Sequence, residues 1–409
     1  MPTVSAPCRS CGTPLQLLVA DFGLQPLANS FVTLDQLDRV EPRYPLRVCV
    51  CEHCWLMQVE GEPVSEEIFN DYAYFSSYSD SWLEHARTYS EEMIERLGLG
   101  KHSFVVEVAS NDGYLLRNFV ERGIRVLGVE PAANVAKEAV AAGVPTEVAF
   151  FGRRMGERLR SHGVRADLLV ATNVLAHVPD VNDFVAGLAR VLAPGGVLTA
   201  EFHHVLRLLE GRQFDTIYHE HFSYLSLTSA QTILARHGLI VLDVEELPTH
   251  GGSLRVYAAH EGEEAESVGG LLERERTAGL TEYEPYERLR VDAESVKQDL
   301  LAFLEAARAD GLRVVAYGAP AKGNTLLNYC GITTDLVLFT VDRSPHKQGR
   351  FLPGSRLPVH APDRIFEARP DYVLLLAWNL KDEVVEQMSA VREWGGRFVV
   401  PIPEVSILS

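Results

Sequence analysis

The pattern of apolar and polar positions changes its period several times along the chain. Residues 80–100, DSWLEHARTYSEEMIERLGLG, place apolar side chains every three or four positions and end in glycine, which predicts an amphipathic helix. Short apolar runs follow, namely SFVVEVAS, IRVLGVE and ADLLVATNVLAHV, and helical segments separate them. Such alternation predicts a parallel sheet with helices on both of its faces.

The rest of the pattern predicts a second, smaller α/β unit. DVNDFVAGLARVLAPGG and VLTAEFHHV predict a helix and a strand, LTSAQTILARHG a helix capped by Thr228 or Ser229, and IVLDVEELPTHGGSLRVYAAH two strands. Charged helical segments after residue 262 then lead to another alternation that begins with LRVVAYGAP. We expect a Rossmann-like middle domain at 76–283 and a second Rossmann-like domain at 284–409.

The beginning of the chain is rich in proline and has little periodic apolar pattern. We expect a loop-rich domain at 1–75. Because it has little core of its own, it needs a stabilising cross-link such as a bound metal ion. The pairs Cys8–Cys11 and Cys51–Cys54 offer four thiolates to one tetrahedral zinc ion, and such a closed site is structural. Two alternatives stay open: the cysteines are reduced and unligated, or Cys49 replaces a member of the second pair.

Composition and charge argue against several classes of partner. The 409 residues are 46% hydrophobic and 23% charged, and the formal net charge is −18. A nucleic acid or an anionic membrane requires a broad basic face, so we expect neither as a partner. The sequence contains no apolar run that spans a bilayer, and MPTVSAPCRSCGT lacks the core of a signal peptide. We therefore expect a cytoplasmic protein, and we expect it to be a monomer.

A glycine-containing turn, VEVASNDGYLL, follows the first strand of the middle domain, where open parallel sheets bind their ligands. The turn resembles the E/DxGxGxG loop of class I methyltransferases, and LARVLAPGGVL is similar to a phrase in the same enzymes. S-adenosylmethionine is therefore the implied cofactor, with Glu130 placed to accept hydrogen bonds from ribose hydroxyls; the alternative is a turn without a ligand. The residues expected to bind the cofactor are Glu107, Ala109, Asn111, Gly113, Tyr114, Glu130, Pro131 and Asn173.

Two histidines flank a glutamate in Tyr218-His219-Glu220-His221, just past the strand VLTAEFHHV. On an extended segment, His219 and His221 would face one way, and Tyr218 and Glu220 the other. The spacing is not the HExxH spacing of zinc enzymes, so the histidines are either structural or transfer protons. Methylation of carbon requires removal of a C–H proton beside a carbonyl, and histidine is a suitable base near neutral pH.

Longer motifs extend the resemblance over essentially the whole chain. YHEHFSYLS, HGGSLRVY, YGAPAKGNTLLN and DRSPHKQGRFLPGSRLPV, joined to the two CxxC pairs, resemble the sugar C-methyltransferases that act on nucleotide-linked 4-keto deoxyhexoses. The 3-C-methyltransferase of D-tetronitrose biosynthesis belongs to this family. The resemblance implies dependence on S-adenosylmethionine, a structural zinc ion, and a sugar nucleotide bound between the middle and C-terminal domains.

The same resemblance implies roles for individual residues. His221 is the expected general base, while Tyr218 and Glu220 orient this base or contact the sugar. His177, in NVLAH, is expected near the reacting carbon.

Two further groups of residues are expected to hold the sugar nucleotide. Tyr72 closes the pocket from the N-terminal side, with Tyr74 and Tyr78 as alternatives. The loop GAPAKGN opens a helix, and helix amides together with a lysine suit a diphosphate. The residues expected to bind the substrate here are Tyr317, Gly318, Lys322, Asn324 and Lys347.

The implied reaction is methylation of a carbon next to the 4-keto group of a dTDP-linked deoxysugar, at C-3, through an enolate. Such a step belongs to deoxysugar and antibiotic biosynthesis. One alternative is methylation at C-5 of a similar sugar. Another is a nicotinamide-dependent sugar oxidoreductase, although neither glycine loop matches GxGxxG. A third is a zinc-stapled binding module without catalysis, which the intact YHEH segment disfavours.

Overall fold

The computed structural model describes residues 6–61 and 76–408. Three sheets organise this part of the chain. The first sheet contains the antiparallel strands β1 (Leu17–Gln25), β2 (Tyr44–Val50) and β3 (Met57–Val59). The N-terminal region is therefore less loop-rich than its sequence pattern predicts. Alternation is weak in β2 because its last three residues are all buried, so that both faces of the strand are covered.

The middle of the chain begins with α1 (Asp80–Leu97), which matches the predicted helix. Its signals are local: the Ser79 side chain accepts a hydrogen bond from the Trp82 amide, and Gly98 ends the helix with a φ of 61°. The elements that follow are β4 (Phe104–Val108), α2 (Leu116–Glu121), β5 (Arg125–Glu130), α3 (Ala133–Ala141), β6 (Thr146–Val148), α4 (Arg153–Ser161), β7 (Ala166–Thr172), α5 (Val181–Val191) and β8 (Leu192–His203).

The second sheet is completed by strands that come later in the chain. The next elements are α6 (Val205–Glu210), β9 (Ser223–Tyr224), α7 (Leu227–Ala235), β10 (Ile240–Leu247), β11 (Ser253–Ala259) and α8 (Glu266–Thr277). The sheet has the order β10-β11-β8-β7-β4-β5-β6, and β11 runs antiparallel to both of its neighbours. Because β4 pairs with β5 on one side and β7 on the other, its carboxyl end is the switch point where such sheets bind ligands.

The start of α7 differs from the prediction. Ser226, rather than Thr228 or Ser229, is the capping residue. The buried Glu275 carboxylate, on α8, accepts hydrogen bonds from the amides of Leu227 and Thr228 as well. A carboxylate brought from a distant helix therefore holds the first turn, which local sequence does not reveal.

The third sheet lies in the C-terminal region. Its elements are α9 (Glu284–Ala309), β12 (Val314–Tyr317), α10 (Ala321–Cys330), β13 (Thr340–Val341), β14 (Val359–His360), α11 (Arg364–Ala368), β15 (Tyr372–Leu375), α12 (Lys381–Gln387), β16 (Arg397–Val400) and β17 (Ser406–Leu408). The order is β14-β13-β12-β15-β16-β17, and β17 pairs antiparallel to β16 while the other pairs are parallel. The switch point here is the carboxyl end of β12, where the second glycine loop begins.

The three sheets are in direct contact. β9 pairs with β3, so the N-terminal sheet includes a strand that directly follows the YHEH segment. The N-terminal and C-terminal regions share one hydrophobic core, and Val32 and Phe351 exchange backbone hydrogen bonds of 2.9 and 2.8 Å. The segment 218–224 therefore joins the middle region to the N-terminal sheet. Among the described residues, no helix is long and apolar enough to cross a bilayer.

Candidate active site

The predicted cofactor loop lies at the carboxyl end of β4. Ala109, Asn111 and Gly113 adopt φ values of 58°, 49° and 77°, in the left-handed region. A side chain at Gly113 is disfavoured for two reasons. The positive φ strains any residue with a Cβ, and an added Cβ would lie 2.9 Å from Val144 Cγ2. The Asn111 amide donates to Glu130 Oε2 at 3.0 Å, which ties the loop to the end of β5. The turn therefore exposes backbone to a ligand at the switch point.

Three buried carboxylates surround this loop. Glu107 is 1% exposed, and its Oε2 has no hydrogen-bond partner within the described residues; the same holds for Oδ1 of Asp112. Burial raises the pKa of Glu107, with a further contribution from the charge of Glu130, and burial also raises the pKa of Glu130. Acidic groups of this kind fit a ligand that brings cationic groups and hydroxyls. S-adenosylmethionine, which carries an ammonium, a sulfonium and two ribose hydroxyls, meets that requirement.

The other predicted cofactor residues border the same edge. Tyr114 is buried, with its ring 6.1 Å from the ring of Trp82, and Pro131 follows directly after β5. Asn173, at the carboxyl end of β7, has a φ of 52°, and its side chain lies 3.2 Å from His250 Nε2. The structure thus gathers the loop residues, the end of β5 and the end of β7 at one sheet edge.

The YHEH segment is a turn and not an extended strand. The His221 amide donates to the Tyr218 carbonyl at 3.0 Å, and the two side chains meet, with the Tyr218 hydroxyl 2.6 Å from His221 Nε2. The expected alternation, with Tyr218 and His221 on opposite faces, is therefore wrong. The hydrogen bond between residues three apart closes a turn, and the turn brings the side chains of Tyr218 and His221 to the same side.

The His221 imidazole is held in one tautomer. Its Nδ1 donates to the Thr216 carbonyl at 2.9 Å, which leaves Nε2 as the acceptor facing the Tyr218 hydroxyl. The His177 ring lies 4.6 Å from the His221 ring, and its own Nδ1 donates to the Glu220 carbonyl. Burial lowers the pKa of His221, and the neighbouring His177 lowers it further. The imidazole is therefore neutral at pH 7 and able to accept a proton.

Glu220 and His219 face the N-terminal region instead. Asn29 donates to Glu220 Oε2, while Glu220 Oε1 has no hydrogen-bond partner in the described part of the chain. Burial raises the pKa of Glu220 to about 7. His219 Nε2 lies 3.2 Å from the Pro45 carbonyl. Among the described residues, neither side chain is hydrogen-bonded to the His221 imidazole.

Two histidines that sequence reasoning missed join the cluster. His203, at the end of β8, pairs its Nε2 with Gln213 Oε1 at 2.7 Å, and Gln213 Nε2 donates to the Gly251 carbonyl. His250 has a φ of 56° beside Asn173. Burial lowers the pKa of His203 to about 3 and that of His250 to about 4, so both rings are neutral. The position of His203 at a strand's carboxyl end is a signal that could have identified it.

Lys322, in the second glycine loop, lies close enough to this cluster for its charge to act on His203 and His250. Lys322 Nζ lies 3.9 Å from the centroid of the Trp378 ring and donates to Asn379 Oδ1. Trp378 Nε1 donates to Asp215 Oδ2 at 2.7 Å, in the turn that precedes the YHEH segment. This part of the C-terminal region therefore reaches the middle domain close to the proposed base.

The remaining residues predicted to bind substrate make their own contacts around the loop. Asn324 Nδ2 donates to the Ala28 carbonyl at 2.6 Å, which joins α10 to the N-terminal region. Gly318 has a φ of 94°. Lys347 Nζ donates to the Ala319 carbonyl at 3.0 Å, and Tyr317 hydrogen-bonds weakly to Gln387. These four residues lie at or beside the loop, at the carboxyl end of β12.

The predicted closing tyrosine, Tyr72, lies outside the described residues, and so does Tyr74. Tyr78 is described, and its hydroxyl lies 3.5 Å from His346 Nε2 of the C-terminal region. Next to it, the amides of Ser76 and Ser77 donate to side chains of the cofactor loop. The segment that precedes α1 therefore touches both the cofactor loop and the C-terminal region.

The four predicted zinc ligands converge in the N-terminal region. The sulfurs of Cys8, Cys11, Cys51 and Cys54 lie within 4.8 Å of one another, and two of the pairs are 3.5 Å apart. A tetrahedral zinc ion with bonds of about 2.3 Å requires sulfurs about 3.8 Å apart, so the donor set fits. Gln58 Nε2 donates to Cys8 Sγ at 3.2 Å, the kind of second contact that orients a ligand. Cys49, buried in β2, is not part of this group.

Models of three protein families match the chain. A candidate zinc binding domain matches residues 8–69, a methyltransferase domain residues 82–244, and the C-methyltransferase C-terminal domain residues 248–403. The fold class predicted from the sequence is confirmed: a class I methyltransferase domain lies between a small N-terminal domain with a cysteine cluster and a C-terminal α/β domain.

Individual proteins differ in how much of the chain they resemble. The PH0226 protein of Pyrococcus horikoshii OT3, a solved structure, is 14% identical with a TM-score of 0.36, and the match covers 48% of this chain and 100% of that one. A ubiquinone biosynthesis O-methyltransferase of Methylobacterium sp. (strain 4-46) is 34% identical over 100 residues, or 24% of this chain and 39% of the relative. C-methyltransferase NovU of Streptomyces niveus is 38% identical over 405 residues, 98% of this chain and 96% of NovU. The resemblance drawn from the motifs is thereby confirmed, and the chain belongs to the C-methyltransferase family.

Proposed function

We propose that this methyltransferase transfers a methyl group from S-adenosylmethionine to the carbon next to the keto group of a dTDP-linked 4-keto deoxysugar, at C-3. The observation that carries the proposal is the His221 imidazole. It is neutral, oriented by the Thr216 carbonyl, and in ring contact with His177, which follows β7 at the sheet edge that carries the cofactor loop. Methylation of oxygen or nitrogen does not require a carbon acid to be ionised, whereas methylation of carbon does.

His221 Nε2 is the atom that takes the proton from the acceptor carbon. The Tyr218 hydroxyl donates a hydrogen bond to this atom, and the acceptor carbon has to take its place before the proton moves. The carbonyl next to the carbon receives the electron pair as an enolate. S-adenosylmethionine supplies an electrophilic methyl group when it is bound. The protein therefore has to align two substrates and to remove one proton.

The remaining site residues support binding. Glu107 and Glu130 are proposed to face the polar groups of the cofactor, together with the backbone of the loop Ala109–Gly113. Gly318 and Lys347, at the carboxyl end of β12, are proposed to hold the nucleotide end of the sugar substrate. His177, in ring contact with His221, is proposed to lie near the reacting carbon.

The test is a reaction of the full-length, zinc-loaded protein with S-adenosylmethionine and a panel of dTDP-linked 4-keto deoxyhexoses. Mass spectrometry of the products should show a gain of one methylene unit in at least one sugar, and NMR should place the new methyl group on C-3. A methyl group on C-5 would correct the position, and a methyl group on oxygen or nitrogen would refute the carbon acceptor. Calorimetric titration should show binding of S-adenosylhomocysteine and no binding of NAD.

A pair of histidine variants separates catalysis from folding. His221→Ala should lose product formation and keep its affinity for S-adenosylhomocysteine. His162→Ala, which changes an exposed histidine at the end of α4, serves as the matched control and should behave like the wild type. Equal activity in the two variants would remove His221 from its proposed role.

A further inference from the structure

The structure contains a half-buried lysine and a buried carboxylate that the proton transfer described above does not use. Asp215 is 0% exposed, and its Oδ2 accepts the hydrogen bond of Trp378 Nε1 at 2.7 Å. The ammonium of Lys322 lies 3.9 Å from the centroid of the same indole ring. Trp378 therefore connects a carboxylate of the middle region with a lysine of the C-terminal region.

Contacts continue from Trp378 to the histidine cluster. A Cβ added to Gly251, which has a φ of 92°, would lie 2.7 Å from Trp378 Cη2 and 2.9 Å from Gln213 Nε2. Gln213 in turn holds His203 Nε2 at 2.7 Å. The backbone of Gly251 is thus packed between the indole and the glutamine. Only glycine permits this close approach, and it brings the Trp378 ring and its bound ammonium up to the cluster.

The charge of Lys322 acts on His203 and His250. After burial, the Lys322 ammonium is among the causes that lower the pKa values of His203 and His250. An ammonium that is partly withdrawn from water is costly unless a negative group accompanies it, and Asp215 is such a group. Asp215 Oδ1 has no hydrogen-bond partner within the described ranges. The side-chain interactions of this carboxylate are therefore its hydrogen bond from Trp378 and its attraction to the charge of Lys322.

We propose that Lys322 stabilises the negative oxygen of the enolate that forms on the acceptor sugar, and that Asp215 is a positioning residue that holds Lys322 in this place. This assignment rests on the proposed function, because it requires a keto sugar as acceptor. It differs from the role that the family resemblance implies, in which Lys322 binds the diphosphate. The Lys322 side chain lies against Trp378 and Asn379, while Lys347 donates to the carbonyl of Ala319 within the glycine loop.

The electrons balance in two steps. When His221 Nε2 takes the proton, the C–H pair forms a carbon–carbon double bond, and the π pair of the ketone moves to its oxygen, where the ammonium compensates the charge. In the second step the ketone re-forms, and the double-bond pair makes the new carbon–methyl bond. The carbon–sulfur bond breaks with its pair on sulfur, which leaves a neutral thioether. A preorganised cation in a site shielded from water acts on the oxygen that carries this charge.

The experiment measures hydrogen–deuterium exchange at the acceptor carbon. The full-length protein is incubated in D2O with S-adenosylhomocysteine and a saturating dTDP-linked 4-keto deoxyhexose, and NMR follows the loss of the carbon-bound proton. Lys322→Met should lower the exchange rate by about 10²- to 10³-fold, the usual effect of removing one oxyanion donor. Its affinity for dTDP alone, measured by calorimetry, should stay that of the wild type. Lys297→Met, which removes another ammonium held over an aromatic ring, is the matched control and should exchange normally.

A second variant covers the positioning role. The charged or titratable groups that face Lys322 are Asp215 in the turn before the YHEH segment, His203 on β8 and His250 in the loop before β11. Asp215→Asn removes the counter-charge, so the ammonium should lose its proton at lower pH. The alkaline limb of the exchange rate should then move to lower pH, while KM for the sugar stays nearly constant. A purely structural role of Asp215 would lower the rate without moving this limb.

The outcomes separate the two proposals. Normal exchange in Lys322→Met with weakened dTDP binding would overturn the assignment and return the lysine to the diphosphate. An unmoved alkaline limb in Asp215→Asn would overturn the positioning role. An absence of exchange in the wild type with every sugar of the panel would refute the keto-sugar acceptor itself, and the assignment of Lys322 would fall with it.

Discussion

Replacement of one cysteine tests how far the active site depends on the zinc ligands. Cys51 and Cys49 lie two residues apart, at the end of β2, and both are buried. The sulfur of Cys51 belongs to the four-sulfur group, and the sulfur of Cys49 does not. We predict that Cys51→Ser abolishes zinc binding and C-methylation, whereas Cys49→Ala keeps both.

The magnitudes of the two changes differ widely. A structural zinc ion contributes about 10–16 kcal/mol of apparent binding free energy, and whole domains have net stabilities of about 5–15 kcal/mol. Loss of the ion is therefore sufficient to unfold the N-terminal sheet. Cys49→Ala removes one sulfur from a packed strand, a change of about 1 kcal/mol. The N-terminal domain should survive the second change and not the first.

The contacts of β3 explain why loss of the ion should reach the active site. β3 pairs with β9, and the Val59 amide donates to the Phe222 carbonyl at 3.1 Å. Asn29 also binds Glu220 within the YHEH segment. When the N-terminal sheet unfolds, the turn that holds His221 loses one side of its support. The sheet that carries the cofactor loop is built from other strands and should stay folded.

The assay follows zinc content, cofactor binding and exchange at the acceptor carbon on the same samples. Cys51→Ser should contain no zinc, bind S-adenosylhomocysteine with nearly wild-type affinity, and show no exchange of the acceptor proton. Wild-type exchange in zinc-free Cys51→Ser would refute the reasoning, because the turn would then need no support from the zinc domain. Loss of zinc from Cys49→Ala would instead show that Cys49 is a ligand.

Three further outcomes follow from the same structure. His221→Ala should lower kcat by about 10²- to 10⁴-fold at unchanged affinity for S-adenosylhomocysteine, and a smaller loss would assign the base elsewhere. Since burial lowers the pKa of His221 below 6.5, the acidic fall of kcat/KM should be centred below pH 6.5; a fall centred on pH 6.5 would contradict the buried, neutral base. Glu275→Gln should lower the free energy of unfolding in urea by about 3 kcal/mol, because only one of the two buried acceptor oxygens remains and a donor of His204 or of α7 is left unsatisfied. Glu273→Gln, at an exposed position on the same helix, should change it by no more than about 0.5 kcal/mol.

Elements with local signals could be predicted from the sequence. The bounds of α1 follow from Ser79, Gly98 and the spacing of apolar residues between them. The first sheet was harder to predict, because β1 contains register shifts and because β9 lies more than 160 residues after β3 along the chain. Pairing between distant segments stabilises strands whose own pattern is weak. The sequence therefore predicted a loop-rich domain where an antiparallel sheet forms.

Residues of the candidate site could be predicted where they are contiguous. The sequence indicates the YHEH segment as a candidate catalytic segment, but the prediction of an extended backbone is wrong. Four residues alone do not show whether the backbone extends or turns. His203 and His250 join the cluster from two separate positions in the chain, and no short motif connects them. Their roles appear only when the carboxyl ends of the strands are brought to one edge.

The second glycine loop shows why a helix start does not fix the role of its lysine. The amides at the beginning of α10 point in a direction that the backbone alone determines, so a strand, a glycine and a helix suffice to predict an anion site there. The direction of the Lys322 side chain depends instead on what packs beside it, and Trp378 and Asp215 come from other parts of the chain. The indole and the Asn379 side chain hold the ammonium in the segment that follows β15. A motif can therefore predict the loop, while the contacts of its lysine follow only from the fold.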